Sequence, residues 1–260
     1  MFINKSTGGY IFKMENGNKT GLIGELKLIS EAGFRELYGR YLYIHCRDLL
    51  EDIIPDELTE GDTGMFVYGY IDEAAGISYR PLALAGYDGE KFSQREMPHT
   101  LSQCVFRYHS KYIKNEFPGD NGTLIMATVT SQEHGFIDLA SSDVDLDAFF
   151  EEEQAIHENF DPKSPKKEEL RSRRYRYMDK YRNPACPDDV LVVLFRPDVK
   201  PESVWVRCMF EAENEVFGQM LTEPKTDFNI HKGQIIGFVP YGEGEEMILV
   251  ATGHTAHTIS

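Results

Sequence analysis

The sequence has few of the features that mark a membrane, secreted or zinc-binding protein. Its apolar runs are all shorter than the roughly 18–20 residues that a membrane-spanning helix needs. The first residues, MFINKSTGGYIF, lack the charged start, apolar stretch and small-residue cleavage site of a secretory signal. We therefore expect a cytoplasmic protein with no membrane partner.

The four cysteines are widely spaced, and the eight histidines show no metal-binding motif. No two cysteines form a C-x-x-C pair, and no histidines form an H-E-x-x-H motif. The G-x-S-x-G and P-loop patterns of hydrolases and nucleotide-binding proteins are absent too. We expect no catalytic residue, no metal site and no cofactor. The four cysteines, which we expect to be reduced and buried, are Cys46, Cys104, Cys186 and Cys208.

Basic residues are outnumbered: the chain has 43 Asp and Glu against 27 Lys and Arg, which gives a formal net charge of −16. Such a charge repels a polyanion over a long range, so we expect no nucleic-acid partner. The same charge favours solubility, and it also favours capture of a basic protein by electrostatic steering.

The charges are segregated in the middle of the chain. Residues 143–161 hold eight acids and no Lys or Arg, whereas residues 163–182 hold nine bases and three acids. The pattern predicts an acidic helix from about Asp147 and a basic helix that begins with Ser164 at the cap and Pro165 in the first turn. The two helices pair with each other or present solvated faces; a protein partner for them is the further alternative. The candidate partner-binding residues are Asp143, Asp145, Asp147, Glu151, Glu152 and Glu153.

Three of these acids mimic the start of a calcium-binding EF-hand loop. Asp143, Asp145 and Asp147 occupy its first, third and fifth positions. However, Ala148 stands where the loop needs glycine, and Gln154 stands where it needs a bidentate glutamate. The sequence therefore argues against calcium binding there.

Elsewhere the chain reads as β-rich. An ambiguous segment from about 31 to 50 has helical spacing of apolar residues, and we predict a helix there despite Gly39. The predicted strands before the acidic segment are Met65–Ile71, Ile77–Ala85 (with Pro81 at an edge or bulge), Cys104–Ile113 and Leu124–Thr130. Those after the basic segment are Val190–Phe195, Val204–Phe210, Val216–Leu221, Gln234–Val239 and Met247–Ala251.

We therefore predict an α+β fold with antiparallel sheets and two central helices of opposite charge. The predicted regions are a β-rich α+β part over residues 1–140, the two charged helices over 141–187, and an antiparallel sheet module over 188–260. The last two regions are equally compatible with one continuous domain.

The last module has a recognisable order of motifs. Val204-Trp205-Val206 is followed by Phe217–Leu221, by Glu223-Pro224 and by Lys232–Ile236. This order resembles the uncharacterised bacterial family of YegJ-like proteins, over about residues 203–251 of this chain. Related domains occur among immunity proteins of bacterial toxin systems. The resemblance implies a small α+β binding module, and it supplies no catalytic residue.

Three functions are compatible with these observations. The first is a non-catalytic binding protein, of the immunity or inhibitor type, that neutralises a basic toxin or effector through an acidic surface. The second is a hydrolase or transferase, which would place acids beside a His or Cys in a deep pocket. The third is a self-associating housekeeping domain, so a homo-oligomer is left open.

Overall fold

The chain forms two compact units, Met1–Asp161 and Pro162–Ser260. The computed structural model describes residues 25–72, 75–108, 116–118, 124–129, 134–159, 170–212 and 214–256. The acidic segment thus belongs to the N-terminal unit, and the described part of the basic segment belongs to the C-terminal unit.

The described part of the N-terminal unit is a sheet with short helices. Its strands are β1 (Lys27–Leu28), β2 (Arg40–His45), β3 (Gly64–Asp72), β4 (Gly76–Tyr87), β5 (Phe92–Arg95), β6 (Cys104–Arg107), β7 (Glu116–Pro118), β8 (Leu124–Val129) and β9 (Gly135–Asp138). Its α-helices are α1 (Phe34–Leu37), α2 (Arg47–Ile53), α3 (His99–Ser102) and α4 (Phe150–Asn159). A 3-10 helix, Leu146–Phe149, leads directly into α4.

The strands of this unit lie in the order β1-β9-β2-β3-β4-β6-β8-β7, and β5 pairs with β4. The pairing is antiparallel except between β6 and β8, which run parallel. The predicted strands over Met65–Ile71 and Ile77–Ala85 are confirmed. Pro81 lies at a bulge: Phe66 pairs with Ala83 and Val67 with Pro81, so β4 has one extra residue there. The bulge accommodates a residue that has no N–H for the ladder.

The predicted helix over 31–50 is wrong. The chain forms α1, then β2, then α2, and Gly39 has a φ of +65° between the first two. A helix cannot continue through that left-handed conformation. The run from Tyr41 to Ile44, which is rich in β-favouring side chains, lies between β3 and β9 and is buried except at Tyr41.

The C-terminal unit is a closed five-stranded barrel. Its strands are β10 (Asp189–Arg196), β11 (Val199–Ala212), β12 (Glu215–Met220), β13 (Ile235–Tyr241) and β14 (Ile248–Ala256). All five predicted strands are confirmed, but the sheet is not open: β14 returns beside β10, in parallel, with Val193 opposite Val250. The α+β class with mainly antiparallel sheets is confirmed.

Alternate residues of the barrel strands fill its interior, among them Val192, Val206 and Phe238. Gly218 belongs to this face, where its lack of a side chain permits the close approach of β11. A Cβ at this position would lie 2.5 Å from the carbonyl oxygen of Arg207 and 2.6 Å from Cγ1 of Val206. Only a residue without a side chain fits there.

The basic segment differs from its prediction. Residues 164–169 lie outside the described part of the chain. The described remainder consists of two 3-10 helices, Arg171–Arg174 and Arg176–Tyr181, separated by Tyr175 in an extended conformation. Leu170 and Met178 are buried against the barrel core, whereas Tyr177 is 37% exposed.

Two arginines of this segment explain the departure, because they turn inward. Arg173 is 2% exposed, and its Nε and Nη2 donate to Oδ1 and Oδ2 of Asp188 at 2.9 and 2.7 Å. Arg182 donates to Asp179, to the carbonyl of Pro187 at 2.6 Å and to the carbonyl of Ser172. These arginines therefore find acceptors within their own unit.

The Glu223–Pro224 turn gives a pH-dependent contact on the connection between β12 and β13. Glu223 Oε1 lies 2.8 Å from Nδ1 of His231, and its Oε2 accepts from the backbone N–H of Lys232. The hydrogen bond to Glu223, and then its negative charge, raise the pKa of His231. Because the pKa of His231 is raised, the stabilisation that this contact supplies is fully present below the pKa of a free imidazole. It is lost as the pH rises through the raised pKa.

We expect an NMR titration of His231 to give a midpoint above the ordinary value of about 6.5. Glu223→Gln removes the charge and is expected to return the midpoint towards that value. An unchanged midpoint in the variant would show that the carboxylate does not hold the imidazolium.

Candidate functional site

The acidic segment carries several exposed carboxylates on the N-terminal unit. We define the acidic ridge as Asp143, Asp145, Asp147, Glu151 and Glu152, all of which are exposed. Oδ1 of Asp145 accepts from the backbone N–H of Asp147, which caps the 3-10 helix that leads into α4. Acids at the start of a helix are also stabilised by its dipole. Local structure therefore explains why acids begin this segment, but not why so many project into solvent.

The ridge carboxylates belong to a unit with few basic residues. In the ranges that the structure describes, none of the five forms an ion pair with Lys, Arg or His. The N-terminal unit as a whole has 28 acidic and 13 basic residues, whereas the C-terminal unit has 15 and 14. Almost the entire net charge of the protein therefore belongs to the unit that carries the ridge.

Apolar contacts attach the ridge to the sheet. Phe149 packs with Tyr43 and Phe66, and Ile156 packs with Tyr68. Phe149 is 9% exposed and Ile156 is 1% exposed, whereas Phe150 is 54% exposed beside the ridge acids.

The sixth candidate, Glu153, does not belong to the exposed surface. Glu153 is 7% exposed, and its side chain is on the buried face of α4, where it contacts three other polar side chains. The phenol of Tyr41 donates to Oε2 of Glu153, and Nε2 of His157 lies 3.3 Å from Oε1. The hydroxyl of Tyr68 is 3.1 Å from the same Nε2. We call Tyr41, Tyr68, Glu153 and His157 the buried polar cluster.

Backbone geometry assembles this cluster from three elements. Tyr41 and Tyr68 are directly paired across β2 and β3, so both side chains project from the same face of the sheet. Their rings are 5.1 Å apart in an edge-on arrangement. Glu153 and His157 are four residues apart on α4 and therefore share the helix face that lies on this side of the sheet.

The surroundings of the buried polar cluster raise the pKa of both its phenols. Burial raises the pKa of Tyr41, and the hydrogen bond to Glu153 and the charge of that carboxylate raise it further. Burial also raises the pKa of Tyr68, with the charge of Glu153 as the next cause. A phenol beside a carboxylate keeps its proton because a second negative charge there is unfavourable.

The hydrogen bonds given above do not include one buried atom of the cluster. Nδ1 of His157 is buried, and no partner for it lies among the residues that the structure describes. The whole residue is 2% exposed, and its ring stands edge-on to Tyr68 at 5.4 Å. Unpaired buried polar atoms are rare in folded proteins, which makes this one notable.

The helical spacing of the sequence contained a signal for this arrangement. Phe149, Glu153, Ile156 and His157 follow the i, i+4, i+7, i+8 spacing that marks the buried face of a helix. Glu153 and His157 therefore occupy positions at which apolar residues are expected. The tyrosine partners are about a hundred residues away along the chain, and no local pattern reveals them.

A second polar group lies at the other end of β2. The hydroxyl of Tyr43 is 3.0 Å from Nδ1 of His45 and 2.6 Å from Oγ1 of Thr63, and Nε2 of His134 is 3.1 Å from Asp48. Burial, and then the neighbouring His134, lower the pKa of His45. These contacts fix the end of the strand and the start of α2, and the Asp48 side chain is mostly solvent-exposed.

The C-terminal unit has an open pocket of about 710 Å³. It is lined by residues of the 3-10 helix, Arg176, Tyr177, Asp179 and Lys180, and by the Gly244–Met247 turn. Nζ of Lys180 donates to the carbonyl of Glu245 at 2.7 Å, and Asp179 pairs with Arg182. Its charges are thus balanced, and its lining offers no His or Cys.

Two further observations concern the described ranges alone. No cluster of three or more His, Cys, Asp or Glu side chains there has an arrangement that could hold a metal ion. No helix there is both long enough and apolar enough to cross a membrane.

Comparison of the chain with protein-family models, with curated proteins and with solved structures found no match. The site must therefore be interpreted from its own geometry.

Proposed function

We propose that this protein is a non-catalytic binding protein, of the immunity or inhibitor type, that captures a basic partner protein through the acidic ridge. The observation that carries the proposal is the ridge itself, in which five neighbouring carboxylates are exposed. None of them has an ion-pair partner among the described residues. A basic partner would supply the missing countercharges and would be steered towards this unit by its field.

The uneven division of charge supports the same conclusion. Solubility alone would be served by acids spread over both units, but the C-terminal unit is close to neutral. An interface also needs apolar contact at its centre, and the exposed ring of Phe150 lies within the ridge.

The hydrolase or transferase alternative receives less support. It requires acids beside a His or Cys in a pocket that substrate can enter. The pocket of the C-terminal unit has neither residue type in its lining, and the buried polar cluster has Glu153 and His157 under a helix. The resemblance to YegJ-like proteins stays a hypothesis; binding of the product of a neighbouring gene would support it.

Neutralising the ridge tests the proposal. We expect the triple variant Asp147→Asn, Glu151→Gln, Glu152→Gln to lose the partner that the wild-type chain retains on affinity purification from its host. The substitutions preserve side-chain size, so the fold should persist, and circular dichroism checks this. Because the contact is electrostatic, wild-type binding should weaken as salt rises above about 0.15 M, where the screening length is about 8 Å.

A matched control removes three exposed acids elsewhere on the same unit. Asp52→Asn, Asp56→Asn, Glu60→Gln changes the net charge by the same amount and should leave binding nearly intact. Equal losses in the two triple variants would mean that overall charge, and not the ridge, attracts the partner. A wild-type chain that retains no basic protein in stoichiometric amount would overturn the proposal.

A further inference from the structure

The outer face of the C-terminal barrel is apolar over three of its strands. A strand whose inner residues fill a barrel normally carries polar residues on its outer face, and β12 does so with Glu215 and Gln219. The outward positions of β10, β13 and β14 are instead mainly apolar. Together with the tryptophan of β11 they form a surface that we call the apolar wall: Leu191, Val193, Trp205, Val239, Ile248 and Val250.

Strand register joins these residues into one surface. Val250 is paired with Val239 on one side and with Val193 on the other, so three strands meet there. Leu191 is on the same face of β10 as Val193 and is paired with Trp205. None of the six positions is charged, and each is partly exposed. A continuous apolar surface of this kind marks an interaction site on a protein in water.

Two aromatic side chains at the margins of the wall are mostly exposed. Tyr241 is paired with Ile248 and is 70% exposed, and Phe195 follows Val193 on the outer face of β10 and is 63% exposed. Neither ring belongs to the barrel core. Aromatic side chains contribute much of the affinity of an interface once a partner covers them.

Closure of the barrel restricts how a partner can contact the wall. In a closed barrel each strand has a neighbour on both sides, so no edge is free to accept an additional strand. Contact must therefore be made by side chains. An amphipathic helix makes such a contact, because its apolar residues at i, i+3, i+4 and i+7 form one face.

The charge at one end of the wall indicates a second property of the partner. The turn between β13 and β14 begins directly after Tyr241, and its three acids, Glu243, Glu245 and Glu246, are all exposed. Lys180 donates to the backbone carbonyl of Glu245 and not to a carboxylate. In the part of the chain that the structure describes, none of the three acids forms an ion pair. Lysines or arginines at the end of a docked helix would supply the countercharges.

We propose that the apolar wall and the three glutamates of this turn are a docking site for an amphipathic helix of a partner protein, with lysines or arginines at the end that lies over the turn. The wall supplies affinity, and the glutamates orient the helix. The site belongs to the C-terminal unit, whereas the ridge belongs to the N-terminal unit. It therefore does not depend on the function proposed for the ridge.

Trp205 provides a reporter for this site, because it is part of the wall and is the only tryptophan of the chain. The probe is a tryptophan-free peptide of about 18 residues with leucines along one helical face and lysines in its last turn. We expect it to shift the Trp205 emission of the full chain to shorter wavelength. Two control peptides, one with its leucines dispersed around the helix and one with glutamates in place of the lysines, should bind about tenfold more weakly.

Substitutions of exposed residues locate the site. The double variant Tyr241→Ser, Phe195→Ser should weaken binding of the lysine peptide about tenfold or more. The matched control Met209→Ser, Phe210→Ser removes two exposed apolar side chains outside the wall and should change binding less than about twofold. Urea unfolding checks that both variants keep the fold.

The glutamates of the turn are tested in the same way. Glu243→Gln, Glu245→Gln, Glu246→Gln should weaken binding of the lysine peptide about threefold at low salt and remove most of its salt dependence. A salt dependence equal to that of the wild type would contradict the assigned orientation of the helix.

Three further results would overturn the docking site. The first is an unchanged Trp205 emission with the lysine peptide, and the second is equal weakening in the two double serine variants. The third is a dimer of the free protein, seen by light scattering, that Tyr241→Ser, Phe195→Ser disperses, because a second copy would then occupy the wall. The triple ridge variant described above should give the wild-type Trp205 signal, so failure of the ridge function leaves this site standing.

Discussion

Replacing Asp188 by alanine is expected to destabilise the C-terminal unit by about 3–5 kcal/mol. Arg173 is 2% exposed and forms a bidentate pair with this aspartate, so the substitution removes two charge-assisted hydrogen bonds from a buried guanidinium. Urea unfolding followed by the fluorescence of Trp205 reports on this unit, because the only tryptophan of the chain is in β11. The midpoint should fall while the slope is unchanged.

An exposed carboxylate of the same unit provides the control. Glu246→Ala removes one charge from a solvated turn and should change the stability by no more than about 0.5 kcal/mol. If Asp188→Ala cost as little, the arginine-rich segment would not be anchored to the barrel through this pair. Its 3-10 geometry would then need another explanation.

The second large effect is expected in alkali, where the N-terminal unit should unfold. Four tyrosines in this sheet, Tyr43, Tyr68, Tyr70 and Tyr79, are each at most 3% exposed. Burial raises the pKa of Tyr70 to about 12 and raises those of the other three further. The unfolded chain loses these protons near pH 10, whereas the folded unit keeps them.

The direction of the effect follows from this difference. Groups whose folded pKa is raised stabilise the fold below the unfolded pKa, and that stability is lost as the pH rises. Above pH 10 each phenol lowers the free energy of unfolding by about 1.4 kcal/mol per pH unit, so the four together lower it by about 5.6 kcal/mol per pH unit. Urea unfolding at pH 9, 10 and 11, followed by tyrosine circular dichroism, measures the loss. Absorbance at 295 nm should show these phenols ionising together, as the unit unfolds.

Tyr79→Phe is the matched variant for this prediction. The Tyr79 hydroxyl has no hydrogen-bond partner among the described residues, so its removal should cost little at neutral pH. One fewer group then titrates on unfolding. Above pH 10 the free energy of unfolding should therefore fall less steeply, by about 1.4 kcal/mol per pH unit. A phenol signal that titrates gradually from pH 10 in the folded protein would contradict the argument.

Strands were the part of the fold that the sequence predicted best. The runs that became β3, β4 and β10–β14 alternate or are continuously apolar, and turn residues bound them, so their type is decided locally. Closure of the barrel could not be predicted, because the pairing of Val193 with Val250 joins residues with no common local pattern.

Two predictions of secondary structure were wrong. In one segment two local preferences competed, and in the other arginine side chains are buried. Residues 31–50 satisfied helical spacing, but Gly39 and the β-favouring run after it decided the outcome. The basic segment had a strong helix-start signal, yet Arg173 is held by the carboxylate of Asp188 and Arg182 by the carbonyl of Pro187. A rule that places arginine at the surface cannot anticipate that.

The candidate site was predicted in part. Composition identified the acidic segment, and five of its six candidate residues are exposed. Glu153 is buried because it shares the inner face of α4 with Phe149 and Ile156, which the spacing alone would have shown. Its tyrosine partners depend on the pairing of β2 with β3, which is a property of the sheet and not of any local stretch.

Closure of the barrel also bears on how the C-terminal unit is made. Until β14 has left the ribosome, β10 and β13 each lack a neighbour and present unsatisfied amides and carbonyls. Nascent chains at that stage are prone to pair with one another, and a chain shortened before β14 would stay in that condition permanently. Translation that pauses shortly before β14 is made would therefore favour strand exchange between copies of this chain.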